Sequence, residues 1–142
     1  MNRYTEMKER HSVEVNAFPM FFAFNNQSFY EGMQKLGLYA AEQVCSIGYG
    51  GYIRKTDKDK YIELLRNHRK ELETAISEDK TGNSFIYEMF LYELSNHEYS
   101  FTLDYEDTLN ALGFTYDDLE KHPNLKHGIT KAAKKLGSDG GF

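Results

Sequence analysis

Two stretches of helical periodicity separated by one short loop constrain this chain more than anything else in its sequence. Tyr61, Leu64, Leu65, His68, Leu72 and Ile76 recur at the spacing of one helix face across five turns. Phe85, Ile86, Met89, Phe90 and Leu94 repeat the pattern, ending near His97. Between them, Thr81-Gly82-Asn83-Ser84 is a loop that ends in a good cap. A connection this short predicts an antiparallel helix pair. Any fold must bury both apolar stripes, so the chain is expected to be mainly helical.

The flanking segments predict the remaining elements. Met7, His11 and Val15 suit a stripe on a first helix over 3–15, and Phe18-Pro19 ends it. Met20 to Phe24 is an apolar run expected to form a buried strand. Asn25-Asn26 caps a helix carrying Phe29, Met33 and Leu36, and Gly37 closes it. The β-prone runs Gln43–Ile47 and Tyr52–Lys55 flank Gly48-Tyr49-Gly50-Gly51, which predicts a hairpin over about 43–55. Thr56 with Asp59 stands in a capping relation for the helix that follows. Beyond Phe101-Thr102-Leu103, a short helix holds Leu109 and Leu112 before Gly113. Thr115 with Asp118 caps the next one, and a last helix carries Leu125, Ile129, Ala132 and Leu136 up to Gly137. The expected fold class is α+β, predominantly helical, with a small three-stranded sheet packed on the long helix pair. No linker or repeat interrupts the chain, so residues 1–137 read as a single domain and 138–142 as a flexible tail.

Composition sets the setting. The chain has 142 residues with 11 Tyr and 10 Phe but no Trp. That is enough chain for a core without disulfide staples. With Cys45 as the only cysteine, no internal disulfide is possible and a reducing, cytoplasmic setting is expected. Its β-prone neighbourhood suits a small buried hydrophobe better than a nucleophile. The charged N-terminus lacks a signal-peptide core, and no apolar run approaches a membrane span. The net charge of −5 hides strong segregation. Residues 54–70 carry seven basic residues against three acids; residues 71–120 carry thirteen acids against Lys80; residues 121–136 carry five lysines and no acid.

Four stretches share a recognisable pattern: 16–25 (NAFPMFFAFN), 29–38 (FYEGMQKLGL), 46–55 (SIGYGGYIRK), and 85–90 (FIYEMF) with 92–99 (YELSNHEY). By these the chain resembles a family of short uncharacterised proteins found in gut Gram-positive bacteria, their phages and mobile elements. The resemblance implies a genomic neighbourhood and brings no catalytic residues with it.

Four groups of residues are candidates for chemistry or contact. Glu93 and His97, four apart on a helix, could hold two positions of a metal site with His68 as a third, or could simply solvate and cap a helix end. Tyr49, Gly50, Gly51, Arg54 and Lys55 could contact an anionic ligand, although a strand rather than a helix follows the glycines, which favours a plain hairpin. The basic strip 54–70 and Lys126, Lys131, Lys134 and Lys135 suit phosphate, yet the chain is acidic overall and no motif that reads base edges is present. The apolar stripes leave Glu71, Glu73, Glu78, Glu88 and Glu93 largely off the core side, so a negative helical face is expected. An ordinary acidic surface is the plain alternative.

Together these features point to a non-enzymatic protein with no cofactor. Its acidic face, centred on Glu71, Glu73, Glu78 and Glu88, would bind a basic protein partner. With the resemblance, an accessory or inhibitor protein of a phage or mobile element is the concrete form, directed at a nucleic-acid-handling or defence protein. Direct nucleic-acid binding is possible but not favoured, and a membrane is not expected. The alternative is a small ligand- or nucleotide-binding protein using the hairpin 48–55.

Overall fold

The computed structural model describes residues 2–97 and 104–139, the last two without their side chains. Seven helices and one three-stranded antiparallel sheet make up the described residues, so the fold is α+β and predominantly helical. The helices are α1 (Arg3–Asn16), α2 (Asn26–Lys35), α3 (Lys58–Glu78), α4 (Phe85–Asn96), α5 (Glu106–Leu112), α6 (Tyr116–Lys121) and α7 (Pro123–Asp139). The strands are β1 (Phe21–Phe22), β2 (Val44–Gly48) and β3 (Gly51–Arg54). No helix among the described residues is long and apolar enough to cross a membrane. The chain divides into two compact units, one of Arg10–Lys70 and one of Met1–Glu9 with Glu71–Phe142.

The 10–70 unit is built on the sheet, ordered β1-β3-β2. Asn25 caps α2 through a reciprocal pair with Ser28, and Gly37, at φ +73°, turns the chain out of it. One sheet face packs on α2: Phe21, Ala23, Met33, Leu36 and Leu38 form its core. Phe21 lies opposite Tyr52 across β1 and β3, and their rings stack at 5.3 Å. Ile53 projects to the other face and is fully buried. The predicted strand over Met20–Phe24 shortens to two residues, of which only Phe21 is buried. The hairpin forms, with a tighter turn than the glycine run suggests. Gly48 and Gly51 face each other across the strands, and Tyr49-Gly50 alone make the turn at φ +54° and +79°. Positive φ at both positions is what a type I′ hairpin turn needs.

The other unit is a helical core of Phe85, Ile86, Met89, Phe90 and Leu94 on α4, Leu109 and Leu112 on α5, Leu119 on α6, and Leu125, Ile129, Ala132 and Ala133 on α7. Tyr4 and Met7 of α1 and Leu72, Ala75 and Ile76 of α3 complete it. The expected α3–α4 hairpin is not the main packing. α4 packs most extensively on α7, because only the end of α3, from Glu71, belongs to this unit. Gly128 allows that approach: a Cβ there would sit 2.4 Å from the Ile86 side chain. One face of the sheet is covered by α2 rather than by the expected helix pair.

Local signals resolve unevenly. Thr115 and Asp118 form the expected capping box, Gly113 closes α5 at φ +78°, and Pro123 starts α7. Thr56 does not cap α3; it lies in a 3-10 turn, Lys55–Asp57, that runs straight into the helix. Gly137 does not stop α7, which continues to Asp139. The Phe101-Thr102-Leu103 run, Glu98, Tyr99 and residues 140–142 of the expected tail lie outside the described residues.

Candidate functional site

The loop before α4 is held by a carboxylate with no obvious sequence signature. Asp79 is buried, and it accepts backbone N–H bonds from Gly82 (3.0 Å), Ser84 (3.1 Å) and Ile86 (3.0 Å). Ser84, the cap read from sequence, makes no side-chain cap bond to α4; Asp79 serves that turn instead. Burial pushes the Asp79 carboxyl up, but the amides of Ile86, Gly82 and Ser84 outweigh it and hold the group below the ordinary aspartate value. Asn124 at the start of α7 donates to the Asp79 carbonyl at 3.1 Å, tying the loop to the last helix.

Glu93 departs most from the sequence reading. Expected off the core side, it is 2% exposed. Glu93 stands three residues from Phe90, four from Met89 and seven from Ile86, so it lies within the apolar stripe of α4 and points inward with it. The carboxylate is tolerated because partners surround it. The Tyr4 hydroxyl donates to Oε1, the Lys8 ammonium sits 2.8 Å from the same oxygen, and His97 Nε2 lies 3.6 Å from Oε2. Burial, then the hydrogen bond and charge of Glu93, push the Tyr4 hydroxyl far above its ordinary range, so it remains a neutral donor. The Lys8 ammonium also lies over the Tyr92 ring at 5.4 Å. This cluster anchors α1 to α4.

The proposed metal trio is not assembled as a centre. His68 belongs to the 10–70 unit, where its Nε2 meets Glu14 and its ring stacks on His11 at 3.9 Å. Glu93 is occupied by Tyr4 and Lys8. Among the described residues, no group of three or more His, Cys, Asp or Glu is placed to hold a metal ion.

The acidic candidates scatter around their helices. On α3, Leu72, Ala75 and Ile76 point inward, as does Asp79 just beyond its end. At 100° per residue, Glu71 and Glu78 fall on one shoulder of that stripe and Glu73 on the other. Glu73 and Glu78 are exposed, and Glu71 is half-buried. Glu88, on α4, is half-buried, and its Oε2 is buried with no hydrogen-bond partner among the described residues. The acidic run 71–120 also includes residues that the sequence reading placed on no face. Asp104, Glu106, Asp107, Asp117 and Glu120 are all exposed along α5, α6 and the residue before them. Lys121 pairs with Asp117 at 2.9 Å and Lys126 with Glu120 at 3.1 Å. Asp118, between them, is kept below the ordinary aspartate value chiefly by the Thr115 backbone N–H.

At the hairpin, Tyr49 is 99% exposed and Phe24 83% exposed, with Phe22 also outside. The Phe24 ring lies against Gly50, where a Cβ would come within 2.4 Å of it. Arg54 is engaged within its own unit: Nε donates to the Leu36 carbonyl at 3.0 Å and the guanidinium meets Asp57 at 3.3 Å. It therefore pins the end of α2 rather than reaching for the turn. Cys45 is half-buried on edge strand β2.

No curated protein and no solved structure matches the chain. The family of unknown function DUF7659 matches residues 3–135, nearly the whole length, and the chain belongs to that family.

Proposed function

We propose that this chain is a non-enzymatic interaction protein whose acidic unit binds a basic protein partner. One observation carries the reading: charge separates along the boundary of the two compact units. Met1–Glu9 with Glu71–Phe142 hold sixteen acids against eight bases, a formal −8, and Arg10–Lys70 hold six acids against nine bases, a formal +3. Most of the acids on the first unit are exposed. A field of that sign attracts a basic surface and raises its rate of encounter. Glu73 and Glu78, with the acids of α5 and α6, carry the contact. Glu71 and Glu88 are half-buried and stay at its margin. The concrete form is an accessory or inhibitor protein of a phage or mobile element, acting in the cytoplasm on a nucleic-acid-handling or defence protein.

The test is affinity capture of the tagged chain from a nuclease-treated host lysate, run beside the variant Glu73→Lys/Glu78→Lys. The reading expects a basic protein that is recovered at low salt, released at high salt and depleted by the variant. Screening shortens the reach of charges from about 8 Å at physiological ionic strength to about 3 Å at 1 M. A partner held equally by both chains at high salt would contradict it.

A second reading, a nucleotide or other small ligand at the hairpin 48–55, is favoured by the exposure of Phe22, Phe24 and Tyr49, which offer faces for stacking. It would rest on Tyr49 and Lys55, since Arg54 is engaged elsewhere. Thermal shift with a nucleotide panel tests it: stabilisation abolished by Tyr49→Ser supports a ligand site, and no shift with any nucleotide removes it.

A further inference from the structure

The hairpin of the 10–70 unit carries an exposed aromatic patch that the core does not use. Burial alternates from Phe21 to Phe24, so Phe22 and Phe24 leave the same face, 59% and 83% exposed. Their rings lie over the two glycines of the hairpin. A Cβ at Gly50 would come within 2.4 Å of Phe24, and one at Gly51 within 3.1 Å of Phe22 and 2.9 Å of Ile47. Tyr49 stands next to Gly50 at the turn, and its side chain is almost wholly in water. Among the described residues it is the one non-glycine residue at positive φ. Asn, Asp or Gly fills that turn position with less strain. A bulky ring held there in solvent adds nothing to the core, and such strain gathers where a chain makes contacts.

We propose that this patch is a two-fold interface between two copies of the chain. Three observations select a second copy as the occupant. The first is charge. Residues 15–30 and 43–53, which build the patch, contain no Asp, Glu, Lys or Arg, although 27% of the chain is charged. Nucleic acid and charged proteins are drawn by opposite charge, which these segments do not offer. Two copies set face to face bring no like charges together from these segments. The second is area. At their exposures, Phe22, Phe24 and Tyr49 present about 350–600 Å² of aromatic surface. Covering two such patches buries about 700–1,200 Å², which spans the threshold of about 1,000 Å² for a specific interface. A dimer of that size is weak and depends on concentration. The third is the surround. Asn25, Asn26 and Gln27, directly after Phe24, are exposed and neutral, as the polar rim of a protein contact is. A two-fold axis lets one patch serve both copies, so the apolar surface closes on itself. This interface is a rival to the nucleotide reading of the same side chains, and it uses none of the acids of the acidic face.

The experiment is sedimentation velocity of the intact chain from about 1 to about 200 µM, at physiological ionic strength and at 1 M salt. Beside it run Phe22→Thr/Phe24→Thr and Glu73→Lys/Glu78→Lys. The expected result is a monomer of 16.5 kDa at the dilute end whose mass doubles at the concentrated end in either salt. The phenylalanine variant should weaken the dimer by about tenfold or more, and the glutamate variant should leave it unchanged. Both rings are exposed, so the phenylalanine variant should keep the far-ultraviolet circular dichroism of the wild type. Tyr49→Ser, on the most exposed of the three, is the second variant and should weaken the dimer in the same direction. A monomer at every concentration would overturn the proposal. So would a dimer that both aromatic variants leave intact. A dimer lost at 1 M salt or in the glutamate variant would also overturn it, because charge would then make the contact. Titration with a fluorescent deoxythymidine strand of about fifteen nucleotides tests the rival occupant. The proposal expects no binding at the patch. Binding that Phe22→Thr/Phe24→Thr abolishes would assign the patch to single-stranded nucleic acid and overturn the dimer.

Discussion

The unit of Met1–Glu9 with Glu71–Phe142 and the unit of Arg10–Lys70 solve the same packing problem with opposite materials. The first holds all three buried polar or charged residues found among the described residues, Asp79, Glu93 and Thr108, inside a helical core. The second buries no charged side chain. It stacks Phe21 on Tyr52 on one sheet face, with Phe29 of α2 edge-on to both, and leaves Phe22, Phe24, Tyr39 and Tyr49 outside. Polar anchors inside an apolar core fix one geometry, because each is costly unless its partner is in place. Aromatic stacking on a small sheet fixes the strands with far less polar chemistry. The acidic unit is thus internally specified and uses its charge outward, whereas the basic unit keeps its apolar surface available.

The largest effect should come from the anchor at the centre of the helical unit. Glu93→Ala leaves the Tyr4 hydroxyl buried without an acceptor and should cost about 3–5 kcal/mol in urea unfolding. Glu93→Leu with Tyr4→Phe, which removes both polar partners and fills the space, should recover much of that loss. If Glu93→Ala were neutral, the anchor would be ornamental and the comparison would fail. In the sheet unit the corresponding weak point is steric. A Cβ at Gly32 would lie 2.1 Å from the Phe21 ring, so Gly32→Ala should cost about 1–3 kcal/mol by displacing the ring from its stack.

Asp79 gives a smaller, pH-dependent effect. Its folded-state carboxyl sits below the unfolded value, so its contribution is fully present above about pH 4 and is lost as pH falls through the folded value. Asp79→Ala should lower stability by about 1–2 kcal/mol at neutral pH, as for a lost helix cap. It should also flatten the fall in stability below about pH 4 seen by circular dichroism. Least of all, Tyr49→Ser should change stability by no more than about 0.5 kcal/mol, because its side chain is exposed. A larger loss would mean that the exposed aromatics are structural, and the contrast between the units would narrow.

Much of the fold was legible because local chemistry and tertiary structure agree. Asn25, Gly37, Gly113, Thr115 and Pro123 mark their helix ends where the sequence places them. The hairpin follows from its glycines. What misled was tertiary. Helix partners are not encoded in periodicity, so α7 rather than α3 took the main face of α4. Glu93 lies three residues from Phe90, four from Met89 and seven from Ile86, so a helical projection places it inside the apolar stripe; its charge alone suggested solvent, and Tyr4 and Lys8, more than eighty residues away, make its burial possible. Asp79 was invisible for a related reason, since it caps α4 from seven residues before Ile86. The acids at 71–120 were legible as a charge run, but their division between the two shoulders of α3 depends on which side is buried.

The central claim is that the acidic unit, not the aromatic hairpin, meets the partner. The direct measurement is an amide chemical-shift map of the isotopically labelled chain titrated with the captured partner. The account predicts perturbations grouped at Glu73–Glu78 and along α5 and α6, weakening as salt is raised. Perturbations confined to Phe22, Phe24 and the turn at Tyr49, insensitive to salt, would contradict it.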